Sequence, residues 1–126
     1  MVLPQRHRLR GRRVFERLHR RARRLHGTAL VLRVLPASAE LLSPPDRAAA
    51  PSPWRCGVVV SGKVSRRAVV RNRLRRRIHN HLLAHPPQVA EPLWLLLSLR
   101  PGCAELPADV LLGECSDLLR RAGLLP

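Results

Sequence analysis

The sequence predicts a single mixed α/β domain whose elements run in the order α-β-β-α-β-α. Three observations carry that prediction. A chain of 126 residues suits one domain with one core, and 45% of its residues are apolar, too many for a chain that stays disordered. Segments with apolar residues at helical spacing alternate with short aliphatic runs. In the second half a strand, a helix and a buried strand follow one another, which makes a βαβ unit over a mixed sheet. No internal repeat is visible.

Residues 1–11 read as a basic arm. Arg12 to Leu25 reads as a helix with Val14, Leu18 and Ala22 on one side, closed by His26-Gly27. Thr28 to Leu35, TALVLRVL, has the aliphatic content and length of a strand. Pro36 to Pro53 is rich in Pro, Ala and Ser and reads as an extended, mobile loop. Trp54 to Ser61, WRCGVVVS, is the second strand. Lys63 to His85 is predicted to be a long helix, with Val70, Leu74, Ile78 and Leu82 turned to the core and Pro86-Pro87 behind it. Leu93 to Leu99, LWLLLSL, is a near-continuous apolar run and therefore a buried strand. Ala108 to Ala122 is the last helix, with Leu111, Cys115, Leu118 and Ala122 inward and Gly123 at its end. Trp54 and Trp94 are read as core residues. His81 and His85, near the end of the long helix, are read as exposed polar residues.

Charge narrows the function. The formal net charge is +16 and the sequence pI about 12.0. Self-repulsion of that size opposes folding, so a polyanionic partner is its natural reason. The charge is concentrated: Lys63 to Arg77 holds eight basic residues and no acid, whereas residues 91–126 carry more acids than arginines. A solvated charged face normally mixes signs. A helix that buries one side and crowds arginines on the others suits phosphate, because the guanidinium fork matches phosphate oxygens. The polyanion is therefore expected on the first two-thirds of the chain. No Ser/His/Asp set, paired carboxylates or Gly-rich phosphate loop is visible, so nothing suggests hydrolysis by the protein itself. Three cysteines without paired spacing look like buried thiols of a cytosolic protein. A zinc site from Cys56, Cys103 and His79 or His81 lacks the usual CxxC spacing. The basic start has no apolar core behind it, so no secretory signal is expected, and no apolar run reaches the length of a membrane span.

At residues 61–77 the pattern meets a known family. Ser61-Gly62-Lys63, Arg66-Arg67-Ala68 and Arg71-Asn72-Arg73-Leu74-Arg75-Arg76 together resemble the signature of the bacterial ribonuclease P protein subunits, a strand end followed by a helix carrying RNRxKR. Arg75 stands where Lys is commoner, Gly62 where a Lys usually sits, and His79 where an Arg is often found. Arg8-Leu9 followed by Phe15, Leu30 to Leu35, and the LLLSLR of Leu95 to Arg100 fall in the family's order, so the resemblance spans about residues 6–122.

The resemblance implies a two-layer α/β sandwich with a left-handed βαβ crossover, although general rules favour a right-handed one. It implies a protein that partners a catalytic RNA subunit, which cuts the 5′ leader from precursor tRNA with magnesium ions (Mg2+). No obligate protein partner and no membrane follow from it, and the cytoplasm is the expected compartment. It assigns RNA contact to Lys63, Arg66, Arg67, Arg71, Asn72, Arg73, Arg75, Arg76 and Arg77. Arg66, Arg73 and Arg76 are expected to form one stripe at helical spacing. It also implies a cleft for the single-stranded leader, lined by Phe15, His19 one turn on, and Arg33 of the first strand. One Phe, two Trp and no Tyr make that cleft poor in aromatic rings, though His and Arg can also stack on bases. The alternative is a small ribosomal or other structural RNA-binding protein. A DNA-reading helix would need mixed side chains at base edges, and this one is nearly all arginine.

Overall fold

The computed structural model describes residues 3–48 and 52–126. Helix α1 (Arg12–Arg21) is followed by strands β1 (Arg23–His26) and β2 (Leu30–Pro36), a short helix α2 (Pro44–Ala48), strand β3 (Trp54–Val59), helix α3 (Ala68–Ala84), strand β4 (Leu93–Leu99) and helix α4 (Ala108–Arg121). The sheet order is β1-β2-β4-β3. β1 and β2 form an antiparallel hairpin, β2 and β4 pair antiparallel, and β3 and β4 pair parallel, with α3 as their crossover. The mixed α+β class and the order of the main elements are those the sequence predicts.

The strand registers explain the two faces. Leu30 and Leu32 of β2, Leu95, Leu97 and Leu99 of β4, and Trp54 and Cys56 of β3 point to one side. There they pack against Leu74, Ile78 and Leu82 of α3 and Leu111, Cys115, Leu118 and Leu119 of α4. The other side receives α1, whose Val14 and Leu18 cluster with Leu9, Leu41, Trp94 and Leu96. β4 is central and apolar on both faces, which is why its sequence runs without alternation.

Three expectations are revised. The first helix stops at Arg21 instead of Leu25, and residues 23–26 form the edge strand β1. The cause is distant: the Glu114 carboxylate of α4 accepts the Thr28 and Ala29 backbone N–H groups at 2.8 Å each and pins the hairpin turn. The stretch read as an extended loop from Pro36 to Pro53 carries a 3-10 turn (Ala39–Leu41) and α2; residues 49–51 of it lie outside the described residues. α2 brings Asp46 inward, where its carboxylate accepts a hydrogen bond from Arg10 at 2.8 Å and stands 4.0 Å from the buried Arg55. The segment read as a basic arm is folded onto β3. Leu3, His7 and Leu9 are buried, Leu9 N–H donates to the Cys56 carbonyl, and the His7 ring stacks on Trp54 at 3.9 Å. Arg55 donates to the Gln5 and Arg8 carbonyls from inside.

Candidate RNA interface

The arginine-rich helix begins later than its sequence suggests. Ser61 Oγ accepts the Lys63 N–H and Ser65 Oγ accepts the Arg67 N–H, so residues 61–67 form turns. Val64 is buried beneath them. α3 starts at Ala68 with Arg67 as its N-cap. Lys63, Arg66 and Arg67 therefore project from a loop at the helix N-terminus, and Arg66 is not in the Arg73/Arg76 stripe. That stripe is instead Val69, Arg73 and Arg76, all exposed, with Val69 at 60% relative exposure.

The remaining signature residues divide by partner. Arg71 reaches back and donates to the Ser65 carbonyl at 2.9 Å, bracing the turn. Asn72 Oδ1 accepts from Arg75 at 2.8 Å, which orients that guanidinium. Arg77 is partly exposed. Among the described residues the ion pairs are Arg10–Asp46, Arg12–Glu16, Arg55–Asp46 and Arg120–Asp117, so no arginine of 61–77 is neutralised. The positive end of the helix dipole adds to that field. Among the described residues the surface is thus a cationic face without ion pairs, with Leu74, Ile78 and Leu82 anchoring its back.

His79 is buried on the same helix, and its Nδ1 has no partner. Burial, helped by Arg75 and Arg8, pushes its pKa down to about 4, so the ring is neutral. A neutral ring contributes no charge to the face.

A second surface lies across the sheet. Phe15 of α1 is half-buried, resting on Gly57 of β3 beside Leu96 of β4: a Cβ at Gly57 would stand 3.1 Å from Phe15 Cε1 and Cζ and from Leu96. Glycine lets the ring lie close to the sheet. Registers put Gly57, Leu96, Arg33 and Arg24 in one cross-strand row on this face. Arg33 donates to Ser98 Oγ at 3.3 Å, and its buried Nε has no partner. Burial, then the neighbouring Arg24, pulls the Arg33 pKa down. His19 is exposed one turn beyond Phe15 and donates through Nδ1 to the Phe15 carbonyl at 2.9 Å. The predicted cleft residues therefore share one flank of α1 and one sheet face. Gly57 and Arg24 were not anticipated, though a glycine inside a strand pattern is a signal for a close approach.

A family model described as Ribonuclease P matches residues 3–123. The chain belongs to the ribonuclease P protein family. It is 50% identical over 127 residues to the ribonuclease P protein component of Prochlorococcus marinus (strain MIT 9303), covering 99% of each chain. To that of Synechococcus sp. (strain RCC307) it is 51% identical over 125 residues, with 98% of each covered. The fold matches the ribonuclease P protein of Staphylococcus aureus with a TM-score of 0.75 at 16% identity, over 95% of this chain and 98% of that one. The Thermotoga maritima protein matches at 0.71 and 19% identity, over 90% and 96%. As a ribonuclease P protein, the chain is part of a ribonucleoprotein endoribonuclease and is not itself the catalytic part.

Proposed function

We propose that this ribonuclease P protein component binds the catalytic RNA through the exposed cations of residues 63–77 and holds the 5′ leader of precursor tRNA in the cleft between α1 and the sheet. The observation that carries the reading is that, among the described residues, no carboxylate pairs with that arginine face, in a chain that pairs its buried cation Arg55 with Asp46. On this reading Arg73, Arg76, Arg66, Arg67 and Lys63 meet phosphates directly, Arg71 and Asn72 keep the turn and Arg75 in place, and Arg77 contacts the edge. Phe15 and His19 offer rings to leader bases, and Arg33, tied to Ser98 Oγ, sets a positive charge on the floor of the cleft.

Magnesium ions serve the RNA subunit. Among the described residues no group of three His, Cys, Asp or Glu side chains gathers to hold a metal ion, and three of the carboxylates face arginines instead. No described helix is long and apolar enough to cross a membrane. The buried free thiols of Cys56, Cys103 and Cys115 suit the reducing cytoplasm. The test is reconstitution: the purified chain, added to catalytic RNA at low magnesium, should raise cleavage of precursor tRNA. No stimulation would reject the reading, and cleavage by RNA-free protein would reject the assignment of the chemistry to RNA.

A further inference from the structure

α1 has a second polar flank, turned away from Phe15 and His19. There Arg13, Arg17, Arg20 and Arg21 line a groove with Glu16 and Leu41. Their spacings of four, three and one residues put the four guanidinium groups along one side of the helix over about 12 Å, at 1.5 Å per residue. The one acid in the groove, Glu16, is taken by Arg12 at 3.0 Å. None of the four arginines is in an ion pair among the described residues. Arg10, the next cation toward the N-terminus, is by contrast held by Asp46.

We infer that this flank of α1 is a separate docking groove for the phosphate backbone of double-helical RNA, supplied by the RNA subunit. The inference rests on the reading of the chain as the protein component of ribonuclease P. The lining decides the ligand class. Single strands are held by stacking bases on rings, and the groove offers arginines, one paired acid and a leucine. Four guanidinium groups in a row over about 12 Å, with no aromatic ring among them, suit a line of phosphates such as a duplex backbone presents better than a splayed base. The source follows from turnover. A site for the tRNA's own stems would hold precursor and mature product equally and slow release, whereas a site for the permanent RNA partner would not. α1 would then lie between two RNAs, with the leader on its Phe15 side and a subunit helix on its Arg17 side.

The test replaces Arg13, Arg17 and Arg20 with Gln together, which keeps the stems that cover Leu41 and removes the charge. A thermal melt checks folding, and a triple Lys variant restores charge. Binding of the wild-type chain to the RNA subunit is measured first; if it fails, the ribonuclease P reading itself has failed. If it succeeds, the Gln variant should bind the RNA subunit roughly tenfold or more weakly, with a salt slope shallower by about three. The Lys variant should recover most of the loss, and preference for precursor over mature tRNA should persist. Unchanged affinity and slope would overturn the inference. So would a loss confined to tRNA binding, which would give the groove to the substrate.

Discussion

Phe15→Ala separates cleft from core. A fully buried Phe→Ala change costs about 3–5 kcal/mol, but this ring is only half-buried, with one face on Gly57 and Leu96. The stability loss should be about 2 kcal/mol, within the margin of a folded domain. Loss of a stacking ring should cost ~1–3 kcal/mol for one leader base, or about 5- to 150-fold in affinity. The assay compares the reconstituted holoenzyme's affinity for precursor tRNA carrying a leader of several nucleotides with that for mature tRNA, beside a thermal melt of the protein. The first affinity should fall and the second should hold. Phe15→Leu should keep most of the stability and still lose leader affinity, since it fills the space over Gly57 without a flat ring. Equal losses on both RNAs, or a melt lowered by a full core penalty without leader dependence, would refute the cleft.

Two further outcomes concern the scaffold. His79 has a folded pKa of about 4 against an ordinary 6.5. The unfolded chain therefore takes up the proton first as pH falls, and stability is full above about 6.5 and declines toward 4. Burial of His81 acts in the same direction. His79→Leu should flatten part of that slope in melts taken between pH 7 and 4; an unchanged slope would clear His79. Asp46 behaves oppositely in protonation state: Arg10 holds its carboxyl below the usual range, so its contribution is present at neutral pH and is lost only as pH falls through that lowered value. Asp46→Ala leaves Arg55 buried without a counter-charge and should destabilise the fold by about 3 kcal/mol in denaturant melts. A change under 0.5 kcal/mol would show that the carbonyls of Gln5 and Arg8 suffice for Arg55.

Local pattern carried much of the fold. The four-residue spacing of Leu74, Ile78 and Leu82 marks the buried side of α3, and the unbroken apolar run Leu93–Leu99 is β4 at both ends. What escaped the sequence depends on distant partners. β1 exists because Glu114, far along the chain, anchors its hairpin, and Arg23 and Arg24 alone look helical. The basic arm is a packed segment because Arg55 and Trp54 meet it from β3. The start of α3 was misplaced for a local reason: Ser61 and Ser65 take backbone donors that a helix would have used. At the candidate interface, the run of cations was legible as a run. Its division into exposed arginines, a brace at Arg71 and a neutral buried His79 needed the packing.

A docking face differs from diffuse charge in which arginines matter, and one comparison tests that directly. Arg73→Ala with Arg76→Ala removes two exposed cations from the unpaired face. Arg120→Ala with Arg121→Ala removes two that are already engaged, Arg120 with Asp117 at 2.8 Å and Arg121 with the His26 carbonyl at 3.2 Å. Affinity for the catalytic RNA is measured for both pairs across a salt series. The first pair should lose ~1–3 kcal/mol per arginine and about two units of salt slope, with its melt unchanged. The second should bind as the wild type does. Equal losses from the two pairs would contradict the account and leave the chain a polycation without a docking face.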